Sequence, residues 1–432
     1  MPVSSMPVSS MPKSSKQKCL TSDLRRRALI RSDRTFNQSP AVKMDNNDNQ
    51  VMKSPMTILK KMTLPLILTF AAVVTGCGDK TDNPDTDATA ASQKPEKVYT
   101  LKLAETWGPN FPIFGETTQR LAADVEAMSG GRLKITIDSA NKHKAPFGVF
   151  DMVKSGQYDM GHSASYYWKG KVPATMFFTT MPFDMTAMEQ YAWFYYGGGQ
   201  ELMNELYAEH NMLSFPGGNT GSQMAGWFQN EIRSLDDLQG LKIRIPGFAG
   251  EVLAKVGATP TNIPPGELYT ALERGTIDAV EWVGPSLDLR MGFHKIAPYY
   301  YTGWHEPGAE LQFLVNRDAF NKLPDDLQAI LVSAMKAEAH TMYVHATHES
   351  GQNLDQMLTN YPDIQIKTFP ADVMAALKQA NAELLQEYAS EDAFSAEVLK
   401  SRQAYLTKIR SWTKISDQAY LNSMDSAAAA KP

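Results

Sequence analysis

Hydrophobic and polar positions follow two regular patterns from Tyr99 onward in this 432-residue chain. The segments 99–105 and 133–137 have the pattern of strands, and the segment 114–128 repeats its apolar residues at helical spacing before Gly130-Gly131. Alternation of strands with helices predicts an α/β fold in which parallel sheets are flanked by helices.

A second set of elements follows a glycine-rich loop at 216–221. Ser234 begins a short helical pattern. From 241 to 245 apolar residues alternate with Lys242 and Arg244, which predicts a strand with one buried face and with Arg244 on its polar face. Two helices and then one strand are expected next, at 247–256, 267–274 and 277–282.

Helical patterns dominate the rest of the chain after a predicted strand at 310–316. The segment 324–358 is a nearly unbroken helical pattern that would run roughly 50 Å, long enough to cross two lobes. Further helices are expected at 371–387 and 396–412.

The chain beyond residue 98 is too long for one ordinary core and predicts two lobes. The expected parts are lobe I at 99–221 plus about 310–349, lobe II at 222–309 plus about 350–375, and C-terminal helices at 376–432.

An uncharged stretch of thirteen residues, Met62–Val74, follows Lys60-Lys61 and precedes Cys77. The stretch is short for a membrane span, which needs about 20 apolar residues, and with the cysteine it resembles the signal of a bacterial lipoprotein. In such a signal the cysteine becomes the first mature residue and carries the lipid, so Cys77 is the expected membrane anchor. A short buried helix with a chance cysteine is the alternative.

Residues 1–76 form an unusually long leader, and we expect translation to start at Met52 or Met56. Residues 77–98, rich in small and polar residues, are expected to form a flexible tether. The chain has two cysteines; Cys19 then lies outside the mature protein and Cys77 is lipidated, which leaves none for a disulfide.

Charge separates the leader from the rest of the chain. Residues 1–76 hold 12 of the 42 basic and 4 of the 47 acidic residues, so the remainder has 30 basic and 43 acidic residues and a formal net charge of −13. Such a surface repels nucleic acid, so binding to nucleic acid is not expected. An anionic ligand would have to be attracted by local basic groups.

One group of residues has the chemistry of an anion and cation site: Asn219 and Gln223 near the glycine-rich loop, Arg244, and Glu281-Trp282. Arginine pairs bidentately with a carboxylate, and Gln and Glu oxygens are ligands that Na⁺ or Ca²⁺ accepts. There is no obvious nucleophile in this group. It therefore predicts capture of a small carboxylate rather than its conversion, provided that the fold brings these residues together.

The segments that carry these residues resemble, in sequence and order, the extracytoplasmic solute receptors of TRAP transporters, the DctP-type family. They are Gly217–Phe228, Lys242–Ile245, Gly247–Gly250 and Asp278–Pro285. The resemblance covers most of the chain from Tyr99 and is nearest to the branch that binds 2-oxo acids such as pyruvate, or lactate, with a cation.

That resemblance implies a two-lobed periplasmic solute-binding fold that closes on a ligand in the cleft between the lobes. It implies that Arg244 pairs with the ligand carboxylate. It also implies that Gln223, Glu281 and the backbone carbonyl of Trp282 hold the cation.

Further positions near the ligand are implied for Asn219, Tyr166 and Tyr167, and for Glu306 as another acidic cation ligand. Na⁺ is favoured over Ca²⁺, because the resemblance is nearer to the 2-oxo acid members. With Na⁺, the charges of the cation, the ligand carboxylate, Arg244 and Glu281 sum to zero, which limits the cost of burying them. Ca²⁺ would favour a further carboxylate such as Glu306.

We therefore expect a lipid-anchored periplasmic subunit that delivers a 2-oxo or 2-hydroxy monocarboxylate to TRAP membrane subunits, and not an enzyme. The alternatives are a receptor for a dicarboxylate or other organic acid, a secreted organic-acid enzyme, and a receptor that signals to a sensor kinase. The absence of a Ser-His-Asp pattern opposes the enzyme. The resemblance also implies that a homodimer can form through a C-terminal helix, and the segment 396–412 is amphipathic enough to permit it; packing of its apolar stripe within the same chain is the alternative.

Overall fold

The computed structural model describes residues 97–429. Its strands are β1 Tyr99–Glu105, β2 Leu133–Asp138, β3 Met160–Ser163, β4 Met212–Asn219, β5 Gly226–Phe228, β6 Lys242–Arg244, β7 Thr259–Thr261, β8 Ala279–Val280, β9 Tyr299–Tyr301, β10 Glu310–Asn316 and β11 Gln365–Lys367. Its α-helices are α1 Phe114–Met128, α2 Ala140–His143, α3 Val149–Lys154, α4 Ala187–Tyr196, α5 Gly199–Ala208, α6 Gly247–Lys255, α7 Leu268–Glu273, α8 Pro285–Met291, α9 Arg317–Asn321, α10 Asp325–Asn360, α11 Ala371–Glu391, α12 Ala393–Ile415 and α13 Asp417–Ala429.

The leader with Cys77 and all but the last two residues of the predicted tether lie outside the described residues. The lipid anchor and the translation start therefore stay predictions. Among the helices that are described, none combines the length and the apolar character needed to cross a membrane.

The strands form two mixed sheets. The first has the order β2-β1-β3-β10-β4, and the second has the order β11-β9-β5-β8-β6-β7. In the first sheet β1 is parallel to β2 and β3, whereas β10 is antiparallel to β3 and β4. In the second sheet β5 is antiparallel to β8 and β9. The expected α/β class is confirmed, but the sheets are mixed rather than parallel throughout. The chain crosses from one sheet to the other between β4 and β5 and between β9 and β10.

Helix α1 shows how the sequence pattern produces an element and its packing. Leu121 and Val125, four residues apart, are buried on one helix face beside β1, in a cluster that includes Leu103 and Leu133. The helix ends before Gly130, which adopts a φ of 62° that side chains with a Cβ rarely tolerate.

Helix α10 has 36 residues and is about 54 Å long at 1.5 Å per residue. Its first half is tied to α1, the helix that packs on the first sheet. Glu338 of α10 pairs with Arg120 of α1 at 2.9 Å. Its second half is tied to α8 next to the second sheet, where the Asn353 amide donates to the carbonyls of Pro285 and Ser286 at 2.9 and 3.0 Å. The predicted long helix that contacts both halves of the fold is confirmed.

Several boundaries match the sequence pattern, and others do not. The bounds of β1, α1 and β10 are those expected. The segment 216–221 is not wholly a loop, because β4 continues to Asn219 and pairs with β10. The expected strand 277–282 is reduced to β8, so that Glu281 and Trp282 leave the sheet just after it ends. The lobe boundaries themselves stay a prediction.

Candidate ligand-binding site

Arg244 and Glu281 lie at the carboxyl ends of two neighbouring parallel strands, β6 and β8. Arg244 is in register with Val280, and the Glu281 N–H donates to the Arg244 carbonyl at 2.9 Å. The carboxyl edge of parallel strands is where open α/β sheets bind ligands. Strand pairing therefore brings together two residues that are 37 positions apart in the sequence.

Gln223 and Glu306 are brought together by the two connections between the sheets, which pair with each other. The Gln223 N–H donates to the Glu306 carbonyl at 2.9 Å, and the Thr220 N–H donates to the Ala309 carbonyl at 3.1 Å. Gly303 permits this approach, because a Cβ there would lie 1.8 Å from the Gln223 carbonyl oxygen.

Arg244 is 1% exposed, as deeply buried as its strand neighbour Ile243. The expected polar strand face is therefore only partly exposed, because Lys242 is exposed whereas Arg244 is covered by protein. Nη1 donates to the Glu281 carbonyl at 2.6 Å and to Glu281 Oε2 at 3.2 Å, and Nε donates to the Ile263 carbonyl at 3.3 Å. The guanidinium carbon lies 5.3 Å from the centre of the Trp282 ring.

Glu281, His305 and Glu306 form a compact buried group whose possible ligand atoms all lie within 4.8 Å of one another. His305 Nε2 is 3.4 Å from Glu281 Oε1. Burial raises the pKa of Glu281 to about 8 against the opposing effect of Arg244, and burial, followed by the charge of Glu281, raises the pKa of Glu306 to about 8. Burial lowers the pKa of His305 to about 4, so its imidazole is neutral at pH 7.

His305 was not assigned a role from the sequence. The only available signal was its position next to Glu306. An isolated histidine in a chain with eight of them carries little information until the fold places it beside two carboxyls.

Six residues in this region, which we call the site cluster, have buried side-chain atoms without a hydrogen-bond partner among the described residues. These atoms are Gln223 Oε1, Arg244 Nη2, Glu281 Oε1, Trp282 Nε1, both ring nitrogens of His305, and Glu306 Oε2. Buried polar atoms are nearly always paired, and each unpaired one costs about 1–3 kcal/mol. Their concentration at one place indicates a binding site for a polar or charged ligand.

Tyr166 and Tyr167 lie next to the site cluster, with ring centres 4.8 Å apart. Burial raises the pKa of Tyr166 well above its usual range, and the carboxyl of Glu306 acts in the same direction. The pKa of Tyr167 is also raised by burial, whereas the nearby Arg244 charge opposes this. Both hydroxyl groups thus remain neutral donors close to the charged groups, and their contact with a ligand stays a prediction.

Asn219 is placed differently from the site cluster, because its amide is fully used inside the protein. Nδ2 donates to Gln190 Oε1 at 3.2 Å and to Glu310 Oε2 at 3.0 Å, while Oδ1 accepts from the Gly221 N–H at 2.9 Å. These bonds fix the turn that leads to Gln223. Direct ligand contact by Asn219 stays a prediction, and Glu310, which holds the amide, was missed from the sequence.

This fold and site define a solute-binding protein of the two-sheet periplasmic type. Residues 103–392 match the family described as bacterial extracellular solute-binding protein, family 7, or DctP. The chain belongs to this family of TRAP solute-binding proteins, whose members are transport proteins and not enzymes. The predicted recognition, fold class and non-enzymatic character are thereby confirmed.

Similar proteins place the chain near the 2-oxo acid branch of the family. A monocarboxylate 2-oxoacid-binding periplasmic protein of Nostoc sp. is 39% identical over 324 residues, 74% of this chain and 88% of the relative. A TRAP periplasmic solute binding protein from Colwellia psychrerythraea, solved with bound calcium and pyruvate, is 66% identical, covers 76% of this chain and 100% of its own, and has a TM-score of 0.75.

Two further solved structures are similar. One from Pseudoalteromonas atlantica, with bound sodium and pyruvate, is 66% identical over 76% of this chain and 99% of its own, with a TM-score of 0.75. One from Bordetella bronchiseptica, a dimer with calcium and picolinate, is 31% identical over 77% of this chain and 99% of its own, with a TM-score of 0.74.

Proposed function

We propose that this protein binds a short 2-oxo or 2-hydroxy monocarboxylate, represented by pyruvate, together with a metal cation and delivers it to TRAP membrane subunits. The observation that carries the proposal is the set of unpartnered buried atoms in the site cluster, which contains a guanidinium N–H beside carboxyl, amide and imidazole acceptors. The pyruvate and cations found in the two relatives that are 66% identical support it.

The ligand chemistry fits this donor set. A 2-oxo acid presents a carboxylate oxygen and an adjacent oxygen that can chelate one cation in a five-membered ring. Arg244 Nη2 is unpartnered and buried, and it would donate to the ligand carboxylate as a charge-assisted hydrogen bond. A second ligand carboxylate near Glu281 and Glu306 would be repelled, which favours a monocarboxylate over a dicarboxylate.

The cation would be held by Gln223, Glu281 and the Trp282 carbonyl, with Glu306 available as a further ligand. Hard oxygen atoms of this kind suit Na⁺ and Ca²⁺. We keep Na⁺ ahead of Ca²⁺, because with a protonated Glu306 the charges of Na⁺, the ligand, Arg244 and Glu281 sum to zero. Burial raises the pKa of both carboxyls, but Arg244 is hydrogen-bonded to Glu281 and opposes the rise there most directly, which favours the ionised form of Glu281 and leaves the proton on Glu306.

We further propose that the two halves of the fold close on the ligand, because the predicted ligand contacts come from both. Tyr166 lies just after β3 of the first sheet, whereas Arg244 ends β6 and Glu281 directly follows β8 in the second. A ligand bound between them stabilises the closed arrangement. An anchor at Cys77 would keep the receptor near its membrane subunits, and mass spectrometry of the mature N-terminus of wild type and Cys77→Ser tests it.

We also propose a homodimer, which the Bordetella relative supports as a dimer. The described structure exposes large apolar side chains at the end of α12 and on α13, where Trp412 is 63% and Ile415 is 73% exposed. Large apolar side chains exposed three positions apart on one helix favour contact with a second copy.

Calorimetric titration of pyruvate, with Na⁺ or Ca²⁺ present, tests the assigned site through Arg244→Lys. Lysine keeps the positive charge that Glu281 needs but lacks the planar fork, so we expect at least about 100-fold weaker binding. Arg233→Lys, a change at an exposed arginine, is the matched control and should bind as wild type does. Unchanged pyruvate affinity in Arg244→Lys and also in Arg244→Ala would remove Arg244 from the site.

A further inference from the structure

Asp288, in the first turn of α8, is a fully buried carboxyl that does not belong to the site cluster. Its Oδ1 accepts from the N–H groups of Val283 and Gly284 at 3.1 and 3.0 Å. Its Oδ2 accepts from Trp227 Nε1 at 3.1 Å and from the Tyr300 hydroxyl at 2.9 Å. One oxygen therefore holds the turn between β8 and α8, and the other is held by the second sheet.

The two groups that hold Oδ2 belong to a stacked aromatic pair. Trp227 of β5 and Tyr300 of β9 are in register on adjacent strands, and their ring centres lie 4.0 Å apart at an interplanar angle of 16°. Both side chains are fully buried. Trp227 is also in register with Val280, the last residue of β8. The Asp288 carboxyl is therefore fixed relative to the end of β8, from which the site cluster continues.

The bond from the Val283 N–H fixes the direction of the Trp282 carbonyl, because both groups belong to one peptide unit. A trans peptide is planar, and its C=O and N–H point in opposite directions. Since the Val283 N–H is directed at Asp288, the Trp282 carbonyl is directed away from Asp288. A carboxyl that accepts from the N–H also polarises the peptide and makes its carbonyl oxygen a stronger ligand.

The carbonyls on either side of this one are already occupied by donors of the protein. The Glu281 carbonyl accepts from Arg244 Nη1 at 2.6 Å, and the Val283 carbonyl accepts from the Met224 N–H at 2.9 Å. Among the described residues, none donates a hydrogen bond to the Trp282 carbonyl between them. This carbonyl is therefore both oriented by its own peptide unit and available as a ligand.

We propose that Asp288 is a positioning residue for the cation, because it holds the Trp282 carbonyl in the direction in which that carbonyl binds the metal. The inference rests on the proposed function, in which a cation binds together with the carboxylate ligand. Asp288 acts through the peptide unit and not as a ligand, since both of its oxygens are occupied by protein donors. Without its carboxyl, the peptide after Trp282 is free to rotate, and one oxygen ligand loses its orientation.

The test measures the concentration of Na⁺ or Ca²⁺ that supports half of the pyruvate binding, from calorimetric titrations of pyruvate at a series of cation concentrations. Asp288→Ala should raise this concentration by about 10-fold or more, as expected for loss of a group that orients a metal ligand. Asp288→Asn offers only one oxygen to four donors and should raise it by about 3-fold or more. The asparagine variant keeps the shape of the side chain and guards against misfolding of the alanine variant.

Tyr300→Phe is the control, because it removes one buried hydrogen bond of the same carboxyl but keeps both N–H bonds to Oδ1. Urea denaturation of the cation-free proteins should show a loss of stability in Tyr300→Phe, whereas its cation requirement should equal that of the wild type. A rise in Tyr300→Phe as large as that in the Asp288 variants would show general destabilisation and overturn the positioning role.

Two further outcomes separate this role from the proposed function. Pyruvate binding by the wild type, with a cation requirement that is unchanged in every Asp288 variant that folds, would overturn the positioning role alone. Failure of the wild type to bind pyruvate with either cation would overturn the proposed function and the positioning role with it.

Discussion

At the scale of single residues, the main requirement of the site is that its buried charges are balanced. Arg244 carries one positive charge, and Glu281 and Glu306 carry up to two negative charges on side chains that are almost fully buried. An anionic ligand adds another negative charge. Buried charges are tolerated when they are balanced, so the protonation of Glu306 decides whether a monovalent or a divalent cation completes the balance.

Glu306→Gln fixes this position in a neutral form and should separate the two cations. We expect the variant to bind pyruvate with Na⁺ about as well as the wild type does, and to lose about 10-fold or more in affinity with Ca²⁺, because one anionic ligand is lost. Calorimetry with each cation measures both effects. Glu267→Gln changes an exposed carboxyl and serves as the control. A loss of Na⁺-supported binding in Glu306→Gln with Ca²⁺-supported binding intact would reverse the assignment.

Glu105 is a buried carboxyl outside the site cluster, and it predicts a pH dependence of stability. Burial raises its pKa to about 7, and the hydroxyl of Thr118, which donates to Oε2 at 2.8 Å, only partly opposes this. The folded protein therefore holds this proton more tightly than the unfolded chain does. The stabilisation is complete below pH 4.5 and is lost as the pH rises through about 7.

Glu105→Gln keeps the neutral shape and removes the titration. The free energy of unfolding of the wild type minus that of the variant should fall by about 3 kcal/mol between pH 4.5 and pH 8. Urea denaturation of both proteins across this range measures the difference, and the other buried carboxyls cancel because both proteins contain them. A difference that stays constant or rises with pH would contradict the prediction.

At the scale of elements, the periodicity of apolar residues predicted those helices and strands whose bounds are set by contacts within the same segment. The bounds of α1 follow from its helical repeat and the glycines after it. By contrast, β8 is two residues long, and β4 extends through Gly217 and Gly218 because their N–H groups bond to the Glu310 carboxyl at 3.1 Å. That partner lies more than 90 positions away, and no local pattern contains it.

The same distinction explains the candidate site. Arg244 and Glu281 could be singled out because their residue types and motifs are specific. The burial of Arg244 and the role open to His305 depend on how the two connections between the sheets pair and on which halves of the fold meet. These are tertiary facts, and residue types alone do not encode them in any short segment.

Helix α10 provides an element-scale prediction through Asn353. Its amide bonds two carbonyls at the start of α8, and Asn353→Ala would leave both without that donor in a buried setting. We expect the free energy of unfolding to fall by about 1–3 kcal/mol. Gln352→Ala, one position away and exposed, should change it by less than about 0.5 kcal/mol. Equal losses in the two variants by urea denaturation would show that the bridge from α10 to α8 adds nothing.

At the scale of the whole molecule, the C-terminal helices divide into a part that packs on the fold and a part that does not. Arg402 of α12 is buried and pairs with Asp184 at 3.1 Å, and Val398 is fully buried. Beyond them, Trp412 at the end of α12 and Tyr420 on α13 are 63% and 64% exposed. The proposed dimer contact therefore lies at the end of the segment 396–412 and beyond it, where the apolar residues have no partner within the described chain.

Sedimentation velocity over a range of protein concentrations tests this contact. The wild type should show a reversible dimer, and Trp412→Glu combined with Tyr420→Glu should weaken it by at least about 10-fold, because two charged groups would replace aromatic anchors of the kind that dominate interface energies. Thr407→Glu adds a charge to α12 about 140° around the helix from Trp412 and should leave the dimer intact. Pyruvate binding should persist in all three proteins, because none of these residues belongs to the site cluster. A wild type that stays monomeric at every concentration would contradict the dimer itself. A dimer that survives the double substitution would show that its contact lies elsewhere.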